Sequence, residues 1–335
     1  MTSIAPHITA FLNQRLPVEQ GASENTCDSY AYAFQLLFVY VSERLKVPPS
    51  ELLLEQIDAP LVIDFLGHLE TVRHNSPSSR NIRLAAIKSF MRYVQYRVPS
   101  ALEQIQRILA IPAKKTETRL IHYLLSEEMQ ALLDAPDPTT RYGIRDRAML
   151  HLCFAAGLRV SELVGLQVTD LVLNPKATVL VHGKGRRERI LPLWKGVVRA
   201  LRAWLVVRNE ALALELFLNA RGHAMTRAGF EYILQKHVRT ASKHSPSLLK
   251  KRISPHVLRH TCAMTVLAAT KDIRKVSLWL GHANIQTTEI YIHADPTEQF
   301  ETLDAITPPK LRTGRFKATD KLLESLKSSS LCGAE

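Results

Sequence analysis

Four short stretches in the second half of the chain carry side chains able to handle a phosphate: GLRVSEL, HGKGRRERILPL, SPHVLRHT and WLGHANIQTTEIYIH. In the first, Arg159 and Glu162 stand three apart, so on a helix the carboxylate would hold the guanidinium in orientation. In the second, glycines flank Lys184. They allow a tight turn, and a lysine projecting from such a turn can donate a proton if neighbouring cations lower its pKa. In the third, Ser254 and Pro255 suit a helix start, His256 and Arg259 fall on one face, and the N–H groups of that start add to an anion site. The fourth holds His282 and then Tyr291 between two isoleucines. Each has a plain alternative. Arg159 and Glu162 would serve as a surface ion pair, Lys184 as an idle turn residue, Tyr291 as a packed ring. His256 and His260, four apart, have zinc-ligand spacing, but Val257 stands where a metalloprotease helix has glutamate and no cysteine pair lies nearby.

Taken in order, these motifs closely resemble the catalytic domain of the tyrosine recombinases, also called the phage integrase family. The resemblance runs over residues 120–300, with weaker similarity in the helical part before it. It implies a basic pocket of Arg159, Lys184, His256, Arg259 and His282, with Tyr291 as the nucleophile and Glu162 supporting the first arginine. It implies cleavage through a covalent 3′-phosphotyrosine and rejoining by a second strand's 5′-hydroxyl, with no metal, ATP or other cofactor. Double-stranded DNA is the implied partner, gripped by a two-domain clamp. The implied assembly is a tetramer of this chain, or of this chain with related recombinases, on two synapsed sites. One departure is AATKDIR, where relatives often carry glycine before the aspartate and this chain has Lys271.

Elementary chemistry agrees with those roles. Breaking a phosphodiester without a metal leaves charge on a pentacoordinate phosphorus. Two arginines can hold both non-bridging oxygens through planar, permanently charged forks, and His282 adds a hydrogen bond. Donors of this kind are commonly worth ~3 kcal/mol each. Lys184 is the natural acid for the departing 5′-oxygen, and His256 a candidate for proton exchange with the tyrosine. A phenol of ordinary pKa near 10 is a poor nucleophile at neutral pH. The surrounding cations are therefore expected to favour its phenolate.

The elements that must position these groups are legible from periodicity and caps. The expected fold is mainly α with a small antiparallel β-sheet (α+β). A helical amino-terminal domain is expected over 1–105, a linker over 106–122 with its barest stretch IPAKKTETR at 111–119, a catalytic domain over 123–305, and a tail over 306–335. Helices are predicted from Ser23, with Asn25 and Thr26 as further cap candidates, and from Asp58, with Pro60 in the first turn. A third occupies SPSSRNIRLAAIKSFMRYVQYRVP. There Ile82, Ala86, Phe90 and Tyr93 share one face, leaving Arg80, Lys88 and Arg92, with Arg83, as a stripe for DNA. Ser126 is the expected cap of LSEEMQALLDA, with Glu127 and Glu128 in its first turn. TVLVH and RILPL form the arms of a hairpin around Lys184, and helices resume after it, one of them opening at HVLRH with His256 and another leading to His282. In the tail, Leu322, Leu323 and Leu326 suggest a short amphipathic helix exchanged between protomers.

Composition narrows the partner. Forty-four Lys and Arg against 31 Asp and Glu leave a net charge of +13, which points to a polyanion. The scattered Cys27, Cys153, Cys262 and Cys332 form no CxxC pair, arguing against a disulfide framework or cysteine zinc site. No apolar run approaches the roughly 20 residues of a membrane span, and the amino terminus lacks a secretory pattern. A cytoplasmic DNA enzyme is therefore expected. The expected role is integration, excision or resolution of DNA, with a type IB topoisomerase-like nicking enzyme or a catalytically silent DNA-binding accessory recombinase as alternatives.

Overall fold

A computed structural model of the chain describes residues 2–116, 121–183, 187–208, 213–282 and 284–291. The chain divides into two compact units, Met1–Arg119 and Leu120–Glu335.

The first unit is helical: α1 (Ile4–Ala10), α2 (Glu24–Leu45), α3 (Ala59–Thr71), α4 (Pro77–Val94) and α5 (Leu102–Leu109). Its helix starts are written in the sequence. Asp58 accepts the Leu61 N–H at 2.9 Å with Pro60 in the first turn, and Ser76 caps α4 ahead of Pro77, each satisfying a donor with no partner inside the helix. Phe11, Phe34, Phe90 and Tyr93 meet in the core, with the Phe90 centroid 5.4 Å from those of both Phe11 and Phe34.

Two expectations here need correction. The buried stripe of α4 is centred on Ile87, Met91 and Val94, so Arg80, on the same stripe nearer the start, turns inward at 6% exposure. Ile82, at its edge, is left 47% exposed. The Arg80 guanidinium is occupied by Asn81 and the Pro112 carbonyl, with Glu70 at 3.9 Å, which withdraws it from a DNA-facing stripe. The linker, in turn, cannot begin at 106. α5 runs on to Leu109, and Ile108 and Ile111 are buried in this unit's core.

The second unit is built round α7 (Arg141–Ala155), which packs against α6 (Ser126–Asp134), α9 (Lys195–Val207) and α11 (Pro255–Thr270). Buried charge ties it to α10 (Arg227–Ala241). Arg145 donates through Nε and Nη2 to Asp146, whose other oxygen lies 2.9 Å from His237 Nε2. The α6 start differs from expectation: Leu125 is the cap residue, and Glu128 reaches back to accept its N–H at 2.8 Å. The hairpin is as expected. β2 (Thr178–His182) and β3 (Glu188–Pro192) pair antiparallel with Val179 opposite Leu191 and His182 opposite Glu188. An unforeseen strand, β1 (Leu171–Val172), adds to β2. His182 lies between Asp170 at 3.1 Å and Glu188 at 3.0 Å, and the Asp170 hydrogen bond leads in raising its pKa.

α8 (Val160–Gly165), α12 (Ile273–Leu280) and α13 (Gln286–Glu289) complete the described elements that frame the pocket. Lys271, the departure from the family pattern, ends α11 in the left-handed region at φ +52°, where a side chain costs about 1 kcal/mol that glycine avoids. Lys184, the tail with Leu322, Leu323 and Leu326, and residues 292–305 lie outside the described residues. Among the described residues no helix is long and apolar enough to cross a membrane.

Candidate active site

After α7 the chain reverses through Gly157 at φ +57°. A Cβ there would sit 2.6 Å from Leu280 Cδ2 and 3.1 Å from Cys262 Sγ. Both the backbone and the space therefore demand glycine. The reversal delivers Arg159 as the residue before α8. Its Nη1 donates to Glu162 Oε1 at 2.6 Å, and its backbone N–H donates to Oε2 at 2.9 Å.

This is no surface ion pair. Glu162 is buried and serves a second guanidinium that the sequence reading missed, Arg189 on β3, which donates to both carboxylate oxygens at 2.8 and 3.2 Å. Arg259 lies 3.8 Å from the same carboxylate. Burial pushes the Glu162 carboxyl up, but Arg189 and then Arg159 outweigh it and the net shift is downward. One fixed anion thus gathers three arginines. Arg189 also explains the glycine of LGH. Gly281 has φ +63°, and a Cβ on it would stand 3.0 Å from Arg189 Cδ.

α11 opens at Pro255 and carries His256, Arg259 and His260 toward the pocket. Arg259 is 1% exposed. It donates to the Gly157 carbonyl at 2.6 Å and to the Leu280 carbonyl, at the end of α12, at 2.7 Å. Burial brings its pKa down, Arg159 adds to that, and the result is about 10. It remains a cation at neutral pH. Arg159, by contrast, keeps 35% of its side chain in solvent and lines an open groove of about 370 Å³ with Ser161, Arg227, Ser254 and His256.

His282 follows Gly281 and shares its Nδ1 with the Thr288 hydroxyl at 2.8 Å. Thr288 is fully buried and its carbonyl accepts the Tyr291 N–H at 3.0 Å. The Tyr291 ring packs with Ala263, Met264, Leu267, Val276 and Leu280, parallel to the His282 ring at 6.4 Å. Its hydroxyl points at His260, with Nδ1 to oxygen 2.9 Å. The ring is packed and the oxygen addressed by a base.

Two features differ from expectation. The phenol is not poised as phenolate: Arg259 and Arg159 do pull its pKa down, but burial dominates and leaves it at about 12. The histidine in contact with it is His260, where His256 was expected. The His256 ring lies edge-on to His260 at 4.4 Å, and among the described residues no third metal-ligand side chain joins the pair. Arg83, Lys88 and Arg92 lie on α4 in the first unit. Arg83 stacks over Tyr32 at 5.0 Å, Lys88 is half-buried, and Arg92 is exposed.

Burial, with their cationic neighbours, lowers the pKa of His260 and of His282 to about 4. An unfolded histidine titrates near 6.5. Between these values the unfolded chain binds protons that the folded chain refuses, so stability must fall as pH drops from about 6.5 to about 4. Both rings keep some solvent, so each should contribute about 1–2 kcal/mol over that window. Urea unfolding at pH 7 and pH 4.5 should show the loss, and His260→Asn should shrink it.

A buried carboxylate organising guanidiniums and imidazoles about a tyrosine, on a helical frame with one small sheet, defines a site for handling phosphodiesters. The sequence pattern of the phage integrase family matches residues 122–298. The chain is 42% identical over 326 residues to a Sinorhizobium fredii protein provisionally named integrase/recombinase y4rC, covering 97% of this chain and 98% of that one. It is 34% identical to the tyrosine recombinase XerC of Pelotomaculum thermopropionicum over 86% of this chain and 93% of that protein. Its fold is that of a XerH site-specific recombinase bound to palindromic difH substrate, with a TM-score of 0.67 at 23% identity over 85% of this chain and 81% of the other. The chain therefore belongs to the phage integrase family and is a DNA strand transferase of the tyrosine recombinase type.

Proposed function

We propose that the chain cleaves and rejoins double-stranded DNA at specific sites through a 3′-phosphotyrosine on Tyr291, without metal or nucleotide. The observation that carries this reading is the Tyr291 hydroxyl held on His260, with its ring parallel to that of His282, in the field of Arg259 and Arg159. Arg159, on the open groove, first meets a backbone phosphate, and Arg259 takes the second non-bridging oxygen. His282, neutral and hydrogen-bonded at Nδ1 to the Thr288 hydroxyl, offers Nε2–H to the same phosphate in the tautomer in which that hydroxyl donates to Nδ1. His256 lines the phosphate groove. Lys184, which follows β2 in the sequence, protonates the departing 5′-oxygen. Glu162 and Arg189 hold the first arginine in place. Arg83, Lys88 and Arg92 add salt-sensitive phosphate contacts from the first unit.

Four such chains on two synapsed sites, alone or with sibling recombinases, would exchange strands to integrate, excise or resolve DNA. The naming of y4rC as an integrase/recombinase supports this setting. The test is a nicked duplex whose short 5′ fragment diffuses away after cleavage. The trapped adduct should resist denaturation, and peptide mapping should place the phosphate on Tyr291. An adduct on another residue, or none, would falsify the reading. Products that join the flanks of two sites separate recombination from simple nicking and resealing.

A further inference from the structure

We infer that His260 takes the Tyr291 hydroxyl proton at Nδ1 as the tyrosine oxygen bonds to phosphorus, an inference that rests on Tyr291 being the nucleophile. The contact is direct, 2.9 Å from Nδ1 to the phenol oxygen, with the two rings edge to face at 5.5 Å. His260 is the residue after Arg259 on α11, so the helix that fixes the buried guanidinium fixes this imidazole too. The other imidazoles are differently engaged. His282 lies parallel to the phenol plane and spends Nδ1 on Thr288, while the His256 ring lies edge-on to His260 at 4.4 Å.

The protonation states match the task. Burial, with His256, Arg259 and His282, holds His260 at about 4, so it is neutral at pH 7. A phenol at about 12 keeps its proton and donates it to Nδ1. That requires the His260 tautomer with hydrogen on Nε2. Since a free phenolate is rare here, proton transfer must accompany attack instead of preceding it. A phosphodiester anion entering among these rings favours the imidazolium and makes transfer easier.

In cleavage the bond from the Tyr291 oxygen to phosphorus forms and the bond from phosphorus to the 5′-oxygen breaks. The phenol proton moves to His260 Nδ1, and the 5′-oxygen receives its proton from a separate acid, Lys184 in the reading above. Rejoining runs in reverse: a 5′-hydroxyl bonds to phosphorus and gives its proton to the group that served as acid in cleavage, the phosphotyrosine bond breaks, and His260 returns its proton to the departing phenolate.

Two variants test this in single-turnover cleavage of the nicked duplex. His260→Asn keeps an acceptor near the Nδ1 position but takes no proton, and His260→Phe keeps a ring with neither function. Both should bind one half-site as the wild type does, which reports an intact fold. Both should cleave about 100-fold more slowly at pH 7. Their rates should climb with pH as hydroxide replaces the imidazole, while the wild-type rate stays level. A 5′-bridging sulfur, which leaves without a proton, should rescue neither. Wild-type cleavage by the Asn variant would reduce His260 to an anchor, and faster cleavage by the Phe variant would make it a resting restraint; either overturns the inference. Absence of any adduct with the wild-type protein would instead sink the assignment of Tyr291.

Discussion

Glu162→Gln is expected to lower the unfolding free energy by about 3–5 kcal/mol, the usual result of stripping one partner from a buried ion pair. The carboxylate accepts four hydrogen bonds from Arg159 and Arg189 and stands 3.8 Å from Arg259. An amide of the same shape has half the acceptors and none of the charge, and it turns an N–H₂ toward guanidiniums. Arg189 is nearly enclosed and has no carboxylate besides Glu162 among its described ion pairs, so it becomes an uncompensated buried cation. Cleavage should also fall, by about 10- to 100-fold, because Arg159 loses the partner that orients it. Urea unfolding followed by circular dichroism checks the first number. Removing Arg189 as well should restore part of the loss, since the two sites share one interaction. A loss below about 1 kcal/mol would mean that the carboxylate does not organise the arginines.

The sequence made local matters plain and long-range ones obscure. The cap at Asp58 depends on a residue three positions away, and the β2–β3 pairing on alternation in two short arms, so spacing revealed both. The i, i+3 relation of His256 and Arg259 likewise put them on one face of α11. Arg189 was missed although its signal was present. It lies in phase with buried Leu191 and opposite buried Val181 on the paired strand, whereas Ile190 between them is 68% exposed. Reading charge as exposure hid that phase, and the same habit misplaced Arg80. His260 was weighed only as a metal ligand, because its contact lies 31 residues away on another element. No local pattern shows which of two histidines a helical turn apart meets the phenol. The phenol pKa failed for a related reason: cations can be counted in a sequence, but the apolar packing of Ala263, Met264 and Leu280 against the ring cannot.

Arg259→Lys should remove cleavage by at least about 1,000-fold while leaving the charge count unchanged. The planar fork of Arg259 spans two carbonyls on separate elements, Gly157 before α8 and Leu280 at the end of α12. An ammonium on a flexible stem is a point donor and cannot reach both while also facing a phosphate. The carbonyl left without a donor is buried, which costs about 1–3 kcal/mol. The loss falls on the reversal that delivers Arg159 and on the helix end that delivers His282. In the proposed reaction Arg259 would act twice, as a phosphate donor and as the tie between the two carbonyls, and a misplacement of about 1 Å is itself worth about 100-fold. Half-site binding should change little if, as proposed, phosphate contacts from other residues supply most of the affinity. Near wild-type cleavage by the lysine variant would show that charge alone suffices at this position and that the two-carbonyl clamp has no part in the reaction.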